Sequence, residues 1–373
     1  MTMCRHPWSG LDISPQGEFK PCCKYNNVIA ITLADYQSSP ELSQLREDFT
    51  NGIRPTACKQ CWDDEDAGLP SKRQLDQEYI FQGKAQDLTS LKILSLPFGN
   101  SCNLACRICD SQASSSWIAE SKKLQEFVPD IKIYKHQRFY QDQQFMDQIK
   151  ALCNDIIHVE FPGGEPFLAG ITEHLDFLDF LLTLDVANIS LHYITNATIF
   201  PKQEFWERWA KFKNVDIQLS IDGIEKQFEY NRWPAKWPEV NDNIQQYIAQ
   251  RDTCNNLQLS ISHSVSIFTV YYLPEFIKWC LQNKLGKPYL GLVAEPKMYN
   301  IKCLPTAIKD KISEKISRFK FENVVSYMCK EDLSEQFDKS LQFIELLDKQ
   351  RNESFDLTFS EFSQLIKETQ CQH

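Results

Sequence analysis

The chain opens on a short alternation. Leu11-Asp12-Ile13 sets apolar residues on either side of a polar one, Pro15-Gln16-Gly17 turns the backbone, and Phe19 resumes; together they predict a hairpin. Pro40 to Phe49 reads as one short helix. From about residue 90 the pattern changes to strand-like runs separated by amphipathic or polar helical stretches. The predicted strands are Leu91–Leu96, Ile156–Phe161, Ile189–Thr195, Val215–Ile221, Leu257–Val265 and Tyr289–Val293. Helices are expected near Phe139–Leu152, Thr172–Leu184, Gln203–Phe212, Val240–Arg251 and Pro274–Asn283. In the second of these, Leu175, Leu178 and Leu182 recur at helical spacing. Six strand–helix units in succession predict a parallel α/β barrel or a doubly wound sheet. In either, the residues that carry chemistry sit at the carboxyl ends of strands. Ile312, Ile316 and Phe319 predict one apolar helical face further on. The expected division is a cysteine-rich segment over 1–70, a polar connector over 71–89, an α/β region over 90–300 and a helical C-terminal region over 301–373.

Composition narrows the function. A chain of 373 residues buries a large core without disulfides. The formal charge of -10 and the lack of a basic stripe argue against general nucleic-acid binding. With 42% hydrophobic and 12% aromatic residues the chain is not a disordered one. Met1-Thr2-Met3-Cys4-Arg5-His6 contains no apolar signal core. The longest uncharged stretch, about Leu257 to Pro274, alternates as a strand rather than running as a membrane span. A cytoplasmic protein in a reducing compartment, with no membrane partner, is expected.

The 14 cysteines cluster, which in a large chain of this kind reads as metal ligation. Cys102, Cys106 and Cys109 form C-x3-C-x2-C directly after the first strand of the α/β region. Three thiolates on one short loop wrap one face of a cube-shaped iron–sulfur cluster and leave its fourth iron open to a small molecule. A zinc site would want a fourth ligand, and no histidine lies close by. Cys4, Cys22, Cys58 and Cys61 form C-x17-C-x35-C-x2-C. Four thiolates satisfy either tetrahedral zinc or a fully ligated 4Fe–4S cluster. Cys23 adjoins Cys22 as an alternative ligand, although the Gly17-x4-Cys22 spacing favours Cys22.

The cysteine loop resembles that of the radical S-adenosylmethionine (SAM) enzymes, and three more segments match in order. Gly163-Gly164-Glu165-Pro166 is similar to the family's "GGEP" segment at the methionyl amino group. Thr195-Asn196 is similar to its "TN" segment, and Ser220-Ile221-Asp222-Gly223 to the "S-x-D-G" of peptide- and sulfatase-modifying members. The resemblance covers about residues 90 to 295. It implies a partial (β/α)6 TIM-like barrel, a SAM-cleaving 4Fe–4S cluster on Cys102, Cys106 and Cys109, and SAM contacts from Gly163, Gly164, Glu165, Pro166, Thr195, Asn196, Ser220 and Asp222. Glycine at 163 and 164 is expected where backbone approaches the ligand closely. Ile108 stands where relatives commonly place an aromatic on the adenine, and supplies apolar contact without stacking. The N-terminal cysteines resemble the twitch domain, a shortened SPASM domain, here preceding the barrel instead of following it. That likeness implies a second, auxiliary 4Fe–4S cluster on Cys4, Cys22, Cys58 and Cys61.

The implied activity is reductive cleavage of SAM to a 5′-deoxyadenosyl radical that takes a hydrogen from a peptide or peptide-like substrate. The outcome is oxidation, crosslinking or epimerisation, with an electron donor such as flavodoxin or ferredoxin. Two other readings stand beside it: dehydrogenation of a small sugar or aminocyclitol alcohol, and a non-catalytic zinc-binding interaction protein. The chain shows no clear winged-helix segment for peptide recognition. Of Cys23, Cys153, Cys254, Cys280, Cys303, Cys329 and Cys371, most are expected to pack as small hydrophobes. Cys303, past the sixth strand with Glu295 and Tyr299, is the candidate hydrogen donor to a substrate radical. His158 and His263 read as core histidines, Asp63-Asp64-Glu65-Asp66 as a solvated face, and Trp233 and Trp237 as loop packing.

Overall fold

The computed structural model describes residues 2–82 and 90–370; the end of the expected connector, 83–89, and Cys371 lie outside the described residues. Eight strands are present among the described residues: β1 Gly10–Ile13, β2 Phe19–Lys20, β3 Ile93–Ser95, β4 His158–Phe161, β5 Ser190–Thr195, β6 Asn214–Ser220, β7 Leu257–Val265 and β8 Tyr289–Leu292. They pair in the order β2-β1-β3-β4-β5-β6-β7-β8. From β3 onward spatial order follows chain order with helices between, the (β/α)6 arrangement of a partial barrel. A helical region follows β8. No helix among the described residues is long and apolar enough to cross a membrane.

The expected hairpin forms, with Ile13 opposite Phe19 across an antiparallel pair. It joins the sheet through β1, which runs parallel to β3 with Gly10 opposite Ile93 and Asp12 opposite Ser95. Direction matters for the cysteines. Cys4 precedes β1 and Cys22 follows β2, so both belong to the end at which β1 begins. Cys102 lies beyond the opposite end, where β3 leaves the sheet.

The chain divides into two compact units, one of 1–103, 110–218 and 245–259, the other of 104–109, 219–244 and 260–373. In the first, β5 buries Leu191, Tyr193 and Thr195 on one face and turns the half-buried His192 to the other. The Ile171–Leu181 helix buries His174, Phe177, Leu178 and Leu181, spaced for one helical face. Each such large apolar side chain contributes about 1.5–3 kcal/mol on burial. His174 stacks on Phe98 at 4.4 Å, and burial pushes its pKa down to about 3. Ser39 caps the Pro40–Thr50 helix, with Pro40 fitting its first turn and Leu42, Leu45 and Phe49 buried. A capping box of Ser71 and Gln74 starts a further helix, Lys72–Tyr79.

In the second unit the Thr306–Ser317 helix buries Ile308, Ile312 and Ile316. Phe319 departs from the expected face and is 52% exposed. The helix ends at Ser317, and Lys320 takes a positive φ of 61°, so the helical spacing does not extend to Phe319.

Candidate functional site

In the first unit, the loop leaving β3 is organised by Asn100, whose side chain is wholly buried. Its amide nitrogen donates to the carbonyls of Ser111 and Lys135, each at 3.0 Å, and its amide oxygen accepts from the Gln137 N–H at 3.0 Å. Ser116 Oγ donates to the Cys102 carbonyl at 2.7 Å. The segment after β4 docks on this loop: the Glu165 N–H donates to the Ser101 carbonyl at 2.8 Å and the Gly164 N–H to the Ala113 carbonyl at 3.1 Å. A Cβ on Gly164 would stand 2.3 Å from the Ser101 carbonyl oxygen, and one on Gly163 would stand 2.9 Å from Pro97 Cβ. Both glycines have positive φ. They clear the cysteine loop itself, a reason for glycine that the approach of a ligand does not include.

Glu165 is 2% exposed. Its Oε1 accepts from Thr195 Oγ1 at 2.8 Å and from the Phe167 N–H at 3.3 Å; its Oε2 accepts from the Asn196 N–H at 2.8 Å. The Asn196 amide nitrogen donates to Asn103 Oδ1 at 3.0 Å and lies 3.8 Å from Cys102 Sγ. Residues of three separate sequence motifs thus form one hydrogen-bonded group at the carboxyl ends of β3, β4 and β5.

The second unit carries the rest of the cysteine loop. The Ala105 N–H donates to the Trp233 carbonyl at 2.8 Å, the Arg107 N–H to the Asn231 carbonyl at 2.9 Å, and the Cys109 N–H to the Cys106 carbonyl at 3.0 Å. Arg107, between the two cysteines, is 1% exposed. Its Nε donates to the Tyr230 carbonyl at 3.1 Å, and its Nη2 to Asp348 at 2.5 Å and Glu353 at 2.9 Å. Its guanidinium lies 3.5 Å over the Tyr230 ring. Arg351 donates to the Ala105 carbonyl at 2.8 Å. Asp222 pairs with Arg232 at 2.6 Å and accepts from the Ser264 N–H at 2.7 Å, and Arg232 Nη1 lies 4.0 Å from Cys106 Sγ. Burial pushes the Cys106 thiol up, with Arg232 opposing. Ser220 ends β6 half-buried, and Ile108 is half-buried.

The N-terminal cysteines meet within the first unit. Cys4, Cys22, Cys58 and Cys61 line one cavity together with Lys72 and Arg73. Packing assembles it: Cys4 lies in a buried cluster with Tyr25, Leu45, Phe49 and Trp62, against which Cys22 and Cys58 also pack. Cys61 is on the Lys59–Asp66 helix, and Cys58 immediately precedes it. Burial raises all four thiols, Cys58 to about 12, and each of Cys4 and Cys22 is raised further by the other cysteines of the set. Cys23 is exposed and does not line the cavity, although its charge, next to Cys22, is among those that raise the Cys22 thiol. Among the described residues no disulfide joins the cysteines, and no three His, Cys, Asp or Glu side chains surround a single-ion position. Four soft sulfurs around one shared space fit a thiolate-bound iron–sulfur cluster.

Arg73 explains the acidic run. It binds Glu65 with two nitrogens, at 3.0 and 2.7 Å, and donates to the Met3 carbonyl at 2.8 Å. Asp66 pairs with Arg54 at 2.8 Å and Asp63 with Lys59. The run was expected as a solvated face; Asp63 and Asp66 keep to it in exposed pairs, while Glu65 departs from it and is held by Arg73, because Cys61 and Trp62 on the same helix turn inward.

His263 is a core histidine, as expected, its Nδ1 donating to the Ile221 carbonyl at 2.9 Å and its ring stacked on Phe276 at 4.1 Å. Trp237 packs between Phe228 and Trp279, and Trp233 lies under Arg351. Cys303 is fully buried, its thiol donating to the Met298 carbonyl at 3.4 Å. Asn100, Arg107, Arg232 and Lys72 escaped the sequence reading. For Asn100 and Arg107 the available signal was a strongly polar residue beside or within a recognised motif; Arg232 and Lys72 stand well away from one.

No protein-family model matches the chain. A cysteine-type anaerobic sulfatase-maturating enzyme of Clostridium novyi (strain NT) is 25% identical over 147 residues, 37% of this chain and 34% of that protein. The chain therefore matches about a third of the length of this curated relative. Among solved structures, native anSMEcpe with bound AdoMet aligns with a TM-score of 0.40 at 19% identity, covering 53% of this chain and 50% of its own. Streptococcus suis SuiB bound to S-adenosylmethionine aligns with a TM-score of 0.40 at 14% identity, covering 77% and 57%. The sequence match, and the four motifs in order at successive strand ends, make the chain similar to the radical SAM enzymes.

Proposed function

We propose that the chain is a radical SAM enzyme acting on a peptide or peptide-like substrate. Cys102, Cys106 and Cys109 hold the SAM-cleaving 4Fe–4S cluster, and Cys4, Cys22, Cys58 and Cys61 hold an auxiliary one. The observation that supports this best is the convergence of Cys102, Glu165, Thr195 and Asn196 in one hydrogen-bonded group. When bound, the cluster and SAM supply one-electron cleavage of a carbon–sulfur bond and hydrogen abstraction from an unactivated carbon. The protein's part is to bind and orient. Glu165, its carboxylate fixed by Thr195, Phe167 and Asn196, would take the methionyl amino group, with Gly163, Gly164 and Pro166 beside it; Ser220, Asp222 and Ile108 are the further SAM contacts that the resemblance implies. The substrate class follows that of the sulfatase-maturating relative. Oxidation or crosslinking is the proposed outcome, because epimerisation would draw on Cys303, whose thiol is fully buried and already donates to Met298.

Anaerobic reconstitution of the full chain tests this. About eight irons per chain are expected, with 5′-deoxyadenosine released on reduction by flavodoxin or ferredoxin. Alanine at Cys102, Cys106 and Cys109 together is expected to remove about four irons and all release. Release that survives this triple change, or bound zinc without SAM cleavage, overturns the proposal.

A further inference from the structure

Lys72 begins its helix and turns inward. Its Nζ lies 2.5 Å from Glu160 Oε1 on β4 and 3.1 Å from Asp76 Oδ2. Asp76 in turn meets His6 Nε2 at 2.6 Å. Lys72 and His6 both line the cavity of Cys4, Cys22, Cys58 and Cys61. Glu160 belongs to a polar row across four strands, with Asp12 opposite Ser95, Ser95 opposite Glu160, and Glu160 opposite His192. His192 pairs with Asp216 at 2.7 Å. A buried ammonium shared by two carboxylates is a poor source of stability, since desolvation opposes most of its Coulomb gain. Its place on the wall of a four-thiol cavity suggests a different use. The potential of a thiolate-bound cluster follows its net charge and the charges beside it.

We propose that Lys72 sets the reduction potential of the auxiliary cluster, with Glu160 and Asp76 as the counter-charges that fix its position. The proposal rests on the reading of Cys4, Cys22, Cys58 and Cys61 as ligands of that cluster. Removing the ammonium takes a positive charge from the cavity wall, leaves Asp76 and Glu160 with only His6 and His158 beside them, and makes reduction harder. Removing the Glu160 charge makes it easier. A purely structural role would not give opposite signs.

The experiment uses the full chain with alanine at Cys102, Cys106 and Cys109, so that the auxiliary cluster alone reports, and follows its EPR signal through a dithionite titration. In Lys72→Met the reduced-to-oxidised ratio at a fixed poise is expected to fall about tenfold, equivalent to about 59 mV for a one-electron couple. In Glu160→Gln the ratio rises, and Lys72→Arg stays near the parent. Midpoints that do not move, or move in the same direction in both variants, with iron held at about four per chain, overturn the proposal. If Lys72→Met does not retain its cluster, Glu160→Gln decides alone: a higher midpoint supports the proposal and an unchanged one overturns it. Failure of the parent itself to bind iron overturns the auxiliary-cluster reading instead.

Discussion

The two cysteine groups are built by different means. Cys4, Cys22, Cys58 and Cys61 come from three distant stretches and meet because Tyr25, Leu45, Phe49 and Trp62 pack around them. Cys102, Cys106 and Cys109 share one short loop, which packing does not need to gather. There the work is orientation, done by Asn100 in one unit and, in the other, by Arg107 within the loop and Arg351 outside it. The first group is therefore as fragile as its fold, and its ligands are chosen by which side chains point inward. The second is as fragile as its hydrogen bonds.

Adjacent cysteines put the first half of this comparison at greatest risk. Cys22 lines the cavity and Cys23 does not. Cys22→Ala is expected to lose about four irons per chain after reconstitution, the whole auxiliary cluster. Cys23→Ala is expected to bind the parent amount. Iron counts and EPR of the two proteins settle it, and equal loss in both would mean that packing does not choose the ligand.

The second half turns on Arg107. Its guanidinium is enclosed by Tyr230, Asp348 and Glu353, while its backbone pairs with Asn231. Breaking a buried ion pair by removing one partner costs about 3–5 kcal/mol, because the remaining charges stay buried. Arg107→Leu is expected to lower the unfolding free energy of the iron-free chain by about that amount in urea. A loss below about 1 kcal/mol, the range of an exposed pair, would show that the loop is held by something else.

The sequence made the loop more legible than the packing. The six strands from β3 onward, and the motifs after them, follow from alternation and from glycine, proline and cysteine spacing, which are local signals. β7 matches its expected bounds, and the other five differ by one or two residues at an end. The three motifs that meet at Glu165 were readable as motifs, but their mutual contact depends on strand register. Arg107 was invisible because its carboxylates lie more than two hundred residues away, at Asp348 and Glu353. Within the acidic run Glu65 misled, because charge alone does not reveal that Arg73 stands opposite. Phe319 misled because periodicity carries no information about where a helix ends.

Acid gives the smallest and most discriminating effect, because the two regions respond with opposite sign. Near the N-terminal cavity, burial would raise the Glu160 carboxyl, but Lys72 and His158 hold it well below its ordinary value of 4.5. A depressed carboxylate contributes stability that is fully present above the unfolded value and is lost as pH falls through the folded one. Beside the cysteine loop, burial raises Glu353 above 4.5 despite Arg107. A raised carboxylate contributes in the reverse sense, its stability present at low pH and lost as pH rises through the folded value. Urea unfolding of the iron-free chain at pH 7 and at pH 4 separates the two. Glu160→Gln is expected to flatten the loss of stability on acidification by somewhat under about 1 kcal/mol, the most that one carboxyl of ordinary value 4.5 contributes down to pH 4. Glu353→Gln is expected to steepen it slightly. If both variants keep the parent's dependence on pH, the charges around the two cysteine groups do not differ in the way their geometry implies.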